Sequence, residues 1–122
     1  MKKWLILGML LSFVCGAATT YFVEKYYSKN QSNAAYGYGL SLLKNSKKDK
    51  AIAVFNQAIG LDMNNYKPYI SLGKMYEEAG KIEFAIEYYE KALEVCKSGN
   101  SLQREDKKYI EDRLNIIKKE VK

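Results

Sequence analysis

The sequence predicts an all-α protein: antiparallel helix hairpins of a short solenoid, closed by a C-terminal capping helix and preceded by an N-terminal transmembrane or signal helix. Three observations predict it. A unit of helical spacing recurs through the middle of the chain at a constant offset of 34 residues. Residues 4–23 carry no charged side chain. One proline and eight glycines in 122 residues suit long regular helices and exclude a collagenous or low-complexity chain.

The first element is the uncharged run from Trp4 to Val23, WLILGMLLSFVCGAATTYFV. As a helix it would be roughly 30 Å long, the thickness of bilayer hydrocarbon. Lys2 and Lys3 precede it and Glu24 and Lys25 follow it. Trp4 at one end, with Tyr21, Tyr26 and Tyr27 at the other, puts amphipathic rings where the interfaces would fall. Residues 1–23 therefore read as a membrane anchor and residues 24–31 as a juxtamembrane segment. Two other readings stay open: Gly16, Ala17 and Ala18 suit the cleavage site of a secretory signal, and Cys15 offers a thiol for lipid attachment, although Val14 stands where that signal places a small residue. The return of apolar side chains at Tyr21, Phe22 and Val23 favours an uninterrupted helix. A very short tail before the span has little to translocate. The expected placement is thus a single-pass protein of a bacterial inner membrane with the C-terminal domain outside the cytoplasm; the alternative is a periplasmic or secreted protein after cleavage.

The repeat follows. Shifting the chain by 34 residues sets Gly39 on Gly73, Ala51 on Ala85, Ile52 on Ile86, Ala58 on Ala92 and Phe55 on Tyr89. Each unit reads as helix, tight turn, helix. In the second unit Tyr69, Leu72, Gly73 and Tyr76 share one side of a first helix, Pro68 suits its first turn, and Ala79 and Gly80 end it. Phe84, Ala85, Tyr88, Ala92 and Val95 trace the buried side of a second helix. Gly73 and Ala85 let the two helices approach closely, and Tyr69, Tyr76 and Tyr89 fill the volume around them. Asn30 to Asn33 separates the anchor from the repeats, with Ser32 opening the first repeat helix; an anchor helix running on through Lys29 is the other arrangement.

The pattern Tyr69, Leu72, Gly73, Tyr76, Ala85, Tyr89 and Ala92 resembles the tetratricopeptide repeat motif. Residues 66–99 match it clearly. Residues 32–65 resemble a degenerate copy, with Gly39, Ala51, Phe55 and Ala58 in place but Ala35, Tyr38 and Leu42 at the positions of Tyr69, Leu72 and Tyr76, and Met63 at the family's proline position. Residues 100–122 are the capping helix. Ser98 to Ser101 should turn and cap it, and Leu102, Tyr109, Ile110, Leu114, Ile117 and Val121 should form its apolar stripe. Asp106 and Lys107, at the positions of Leu72 and Gly73, rule out a third repeat.

The resemblance implies a concave face that receives a protein or peptide partner. It places Asn33, Tyr36, Leu40 and Leu43 of the first unit and Lys67, Ile70, Lys74 and Glu77 of the second on that face, with Arg104 and Lys108 extending its rim. Some members of the family clamp a terminal carboxylate with polar side chains here; Tyr36 and Leu40 replace that pair and favour apolar anchoring. Two repeats fall short of the usual minimum of about three, so a complex is expected, with self-association through Tyr26, Tyr27 and Tyr36 as one form. The alternative role is a structural subunit of a larger membrane complex.

Chemistry is scarce. Histidine is absent, and Cys15 and Cys96 are too few for a zinc cluster. Glu77, Glu78, Glu83, Glu87, Glu90 and Glu94 recur at helical intervals, as solvated helix surface does, and Glu87 can pair with Lys91 one turn on. No catalytic residue, metal or cofactor is expected. The net charge is +6, of which Lys2 and Lys3 contribute two. The basic run Lys44, Lys47, Lys48 and Lys50 reads as a solvated turn, and acidic residues interrupt the final helix, so no nucleic-acid partner is expected.

Overall fold

Five helices make up the computed structural model, which describes residues 2–97 and 104–122. They are α1 (Lys2–Lys44), α2 (Lys48–Leu61), α3 (Tyr66–Glu78), α4 (Ile82–Lys97) and α5 (Arg104–Glu120). The expected turn at Ser98 to Ser101, and Leu102 of the capping stripe, lie outside the described residues.

The uncharged N-terminal run and the first repeat helix are one element. No proline interrupts residues 2–44, and Asn30 to Asn33 stays helical, so α1 runs for 43 residues, about 65 Å. Ser32 therefore sits inside a helix and does not cap one. It is fully buried, and its hydroxyl donates to the Ala58 carbonyl at 2.7 Å. One turn earlier, the Ser28 hydroxyl donates to the Leu61 carbonyl. These bonds hold the second half of α1 against the end of α2. In the first half, residues 2–7 and 12–23 are exposed; by length and composition α1 is able to cross a membrane, and its most apolar stretch has a mean hydropathy of 1.9.

The two hairpins share a turn and a glycine–ring contact. In each, the first helix closes with the six-residue hydrogen bond typical of a left-handed terminus, from the Lys47 N–H to the Leu42 carbonyl and from the Lys81 N–H to the Tyr76 carbonyl, both at 2.9 Å. The left-handed residue is Gly80 (φ 74°) in the second unit but Ser46 (φ 58°) in the first. Gly39 and Gly73 occupy matching contacts. A Cβ on Gly39 would stand 2.5 Å from the Phe55 ring, and one on Gly73 would stand 2.6 Å from the Tyr89 ring. Each aromatic ring of a second helix thus lies where the first helix has no side chain.

Two apolar clusters result. Leu42, Ala51, Phe55, Leu72 and Met75 join the hairpins. Tyr66, Tyr69, Ile70, Ala85, Tyr89 and Ala92 form the other cluster, which Ile110, Leu114 and Ile117 of α5 complete. The capping helix thereby covers the second unit with its apolar stripe.

Two expectations about burial, at Phe84 and Val121, need correction, and Tyr38 departs from its counterpart in the second unit. Phe84 is 52% exposed, because its ring stacks on Tyr76 from outside, with centroids 5.4 Å apart. Tyr38 is 58% exposed although Leu72, its counterpart, is fully buried. Leu72 packs into the cluster that Ala51 and Phe55 of the preceding α2 supply, and no described helix pair precedes α1 to do the same for Tyr38. Val121 is exposed because α5 ends at Glu120.

Candidate functional site

The candidate site is the face built by the second half of α1, by α3 and by α5. Its residues fall into three groups, of which the capping helix engages that of the second unit.

In the second unit α5 engages the face. Ile70, expected to meet a partner, is 8% exposed and belongs to the core cluster with Ile110, Leu114 and Ile117. The Lys74 ammonium lies 4.5 Å from the centre of the Tyr109 ring, a cation–π contact. Glu77 is ion-paired with Arg113 and accepts a hydrogen bond from the Tyr89 hydroxyl at 2.9 Å. Tyr89 is wholly buried, and its phenol is held well above the ordinary range, first by desolvation and then by the hydroxyl of Tyr109, 3.4 Å away. Ile70, Lys74 and Glu77 thus tie α3 to α4 and α5. Lys74, Glu77, Glu78, Tyr109 and Arg113 line a cleft of about 420 Å³.

The first unit keeps more of its face open. Leu40 is exposed, and half-buried Tyr36 lies on Phe55 with centroids 5.7 Å apart. Leu43 packs against the first cluster. Beside Leu40, Gly37 has open space where a side chain would stand. Leu40 with the outer edge of Tyr36 is therefore the apolar surface that this face offers.

At the lower end of the face, Asn33 and Lys67 line one cavity beside the link between the units. Asn65 caps α3, its side chain accepting from the Lys67 N–H at 3.3 Å. Its amide nitrogen donates to Ser32 at 3.0 Å and to the side-chain oxygen of Asn33 at 3.2 Å. Asp62 accepts from the Asn64 N–H at 3.0 Å. A cavity of about 240 Å³ opens here between Lys29, Asn33, Asp62 and Lys67. Sequence reasoning missed Lys29, Asp62 and Asn65 as parts of this site. Ser32 and Asn65 lie almost one repeat apart, and that spacing would have pointed to their contact.

Of the repeat-packing residues, Ala51, Phe55, Ala58, Leu72, Ala85, Tyr89 and Ala92 are fully buried, Gly39, Gly73 and Tyr69 are buried, and Tyr76 is half-buried. Arg104 and Lys108 are exposed on α5.

Residues 66–98 match a model described as tetratricopeptide repeat, and residues 32–65 match a second one of the same description. Together they cover more than half of the chain. It belongs to the tetratricopeptide repeat family. The repeat fold is also that of a tetratricopeptide repeat domain protein from Salinibacter ruber, whose crystal structure is 23% identical and superposes with a TM-score of 0.63 over 71% of this chain and 94% of that one. A solution NMR structure of a tetratricopeptide repeat domain protein from that organism gives the same identity and TM-score over 70% and 85% of the two chains. In sequence, 64 residues are 30% identical to protein bimA of Emericella nidulans, which is 50% of this chain but 8% of that protein. The chain thus spans a small part of that curated relative. Tetratricopeptide repeats are non-catalytic interaction scaffolds, and no group of three or more metal-ligating side chains occurs among the described residues.

Proposed function

We propose that this tetratricopeptide repeat protein is a membrane-tethered interaction module that recruits or assembles a protein partner. Residues 4–23 hold it in a bilayer, in a bacterial inner membrane with the repeats outside the cytoplasm. The partner, a peptide or helix with an apolar anchor, sits on Asn33, Tyr36, Leu40 and Leu43 and reaches Lys67. Ile70, Lys74 and Glu77 contribute by positioning α5 and do not themselves grip the partner.

The observation that carries this reading is the continuity of α1. One helix carries both the uncharged run and the open apolar surface of the first unit, so whatever binds at Leu40 is held at a fixed height above the bilayer. Leu40 is an exposed aliphatic side chain that packing does not require, on the face where this fold accepts ligands.

The test is photocrosslinking in native membranes with a photoreactive residue at position 40, followed by identification of the adduct. A discrete protein adduct that Tyr36→Ala removes, with helix content unchanged, supports recruitment. Crosslinks to lipid and solvent alone, or a chain recovered soluble, contradict it.

A further inference from the structure

We propose that the membrane end of this face is a pocket for the headgroup phosphate of an anionic phospholipid. The proposal rests on the tethered reading above and adds a ligand to it.

Position comes first. Lys29 lies six residues past Val23, about 9 Å along α1. A bilayer of about 40 to 45 Å around a hydrocarbon core of about 30 Å leaves a headgroup layer of roughly 5 to 8 Å on each side. The hydrogen bond from Ser28 to Leu61 fixes the link between α2 and α3 at that same level. The long stem of Lys29 brings its ammonium back into the layer. Met63, within that link, is 69% exposed, an apolar side chain set at the level where lipid begins.

Chemistry agrees with position. The cavity of about 240 Å³ is lined by Lys29 and Lys67, with Asn33, Asn64 and Asp62 between them. Neither lysine is ion-paired among the described residues. Asp62 already accepts the Asn64 N–H. Two ammonium groups and one carboxylate leave one net positive charge, which matches the single negative charge of a phosphodiester. The other basic cluster, Lys44 with Lys47 and Lys48, stands at the opposite end of the hairpins. Lys44 is sixteen residues past Ser28, about 24 Å of helix and more than two Debye lengths away at physiological salt. That cluster cannot take part in this contact, and its Lys47 and Lys48 serve as the control.

The experiment offers equal amounts of phosphatidylglycerol and phosphatidylcholine to the full chain in dodecyl maltoside micelles, and native mass spectrometry counts the lipid retained. The expected result is a preference for phosphatidylglycerol of about tenfold, lost in Lys29→Gln/Lys67→Gln, restored in Lys29→Arg/Lys67→Arg and kept in Lys47→Gln/Lys48→Gln. Near-UV circular dichroism matching the unmodified chain shows that each variant is folded. Equal retention by Lys29→Gln/Lys67→Gln overturns the proposal, as does an equal loss in Lys47→Gln/Lys48→Gln, which would mean diffuse charge. Displacement of the lipid by equimolar inorganic phosphate overturns the lipid as ligand in favour of a free anion. Flotation with neutral phosphatidylcholine vesicles reads the anchor separately: a chain that floats but shows no lipid preference defeats the pocket alone, and a chain that does not float defeats the tethering as well.

Discussion

Replacing Gly73 by alanine probes the contact on which each hairpin is built. The new Cβ would stand 2.6 and 2.7 Å from two carbons of the Tyr89 ring, about 1 Å inside ordinary contact. The ring cannot easily retreat, since Tyr89 is fully buried and its hydroxyl is bound to Glu77. Overpacking of this kind costs about 1 to 3 kcal/mol. Alanine also improves helix propensity by about 1 kcal/mol over glycine, so the net loss is smaller than the clash. Gly37→Ala separates the two terms, because Gly37 lies on α1 with open space around its would-be Cβ and should gain the propensity term alone. Urea unfolding of the full chain in micelles, followed by the near-UV signal of its eleven tyrosines, should place the two variants about 1 to 3 kcal/mol apart, with Gly37→Ala the more stable. In a Tyr89→Ala background the penalty of Gly73→Ala should vanish. Equal stabilities for Gly37→Ala and Gly73→Ala, or an unchanged penalty in that background, would refute the reasoning.

Three further outcomes follow from the same contacts. Ser46→Gly should stabilise the protein by about 1 kcal/mol in the same urea assay, because Ser46 holds a left-handed conformation that its counterpart Gly80 adopts without strain. Asn65→Ala should cost about 1 to 3 kcal/mol, since it removes the cap of α3 and leaves Ser32 and Asn33 without its amide; Asn65→Asp should keep the cap but not the bonds to α1, and fall between. Alkaline pH should expose Tyr89: its folded pKa is raised, so its contribution is complete below the unfolded value of about 10 and is lost as pH rises beyond it. The urea midpoint should therefore fall above about pH 10, and less steeply in Tyr89→Phe; Tyr69 and Tyr88, also raised by burial, keep part of the slope.

The hairpins were legible because their cause is local and repeats. A glycine opposite an aromatic ring, 34 residues from another such pair, needs no knowledge of the surroundings, and Gly39 with Phe55 and Gly73 with Tyr89 stand as the offset implies. What the sequence concealed depends on neighbours. Tyr38 and Leu72 hold the same place in the motif, yet among the described residues the helix pair that buries Leu72 has no counterpart for Tyr38. Ile70 has the spacing of a groove residue, and the apolar stripe of α5 makes it core. The continuity of α1 was concealed for another reason. Asn30 to Asn33 looks like a linker by composition, and it stays helical because Ser32 finds a buried carbonyl on α2 to satisfy its hydroxyl. Ser46 gave no signal, since left-handed turns are usually marked by glycine.

One unbroken helix carries both the uncharged run, proposed above as the anchor, and one wall of the repeat domain. Spin labels placed singly at positions 18 to 36 of the full chain in bilayers would report it, through their accessibility to oxygen and to a water-soluble relaxant. The predicted result is a single helical period of about 3.6 residues through Asn30 to Asn33, with lipid exposure giving way to water near Lys25 and protection at Ser28 and Ser32. A loss of that period between residues 26 and 33, or water exposure at every position, would contradict it.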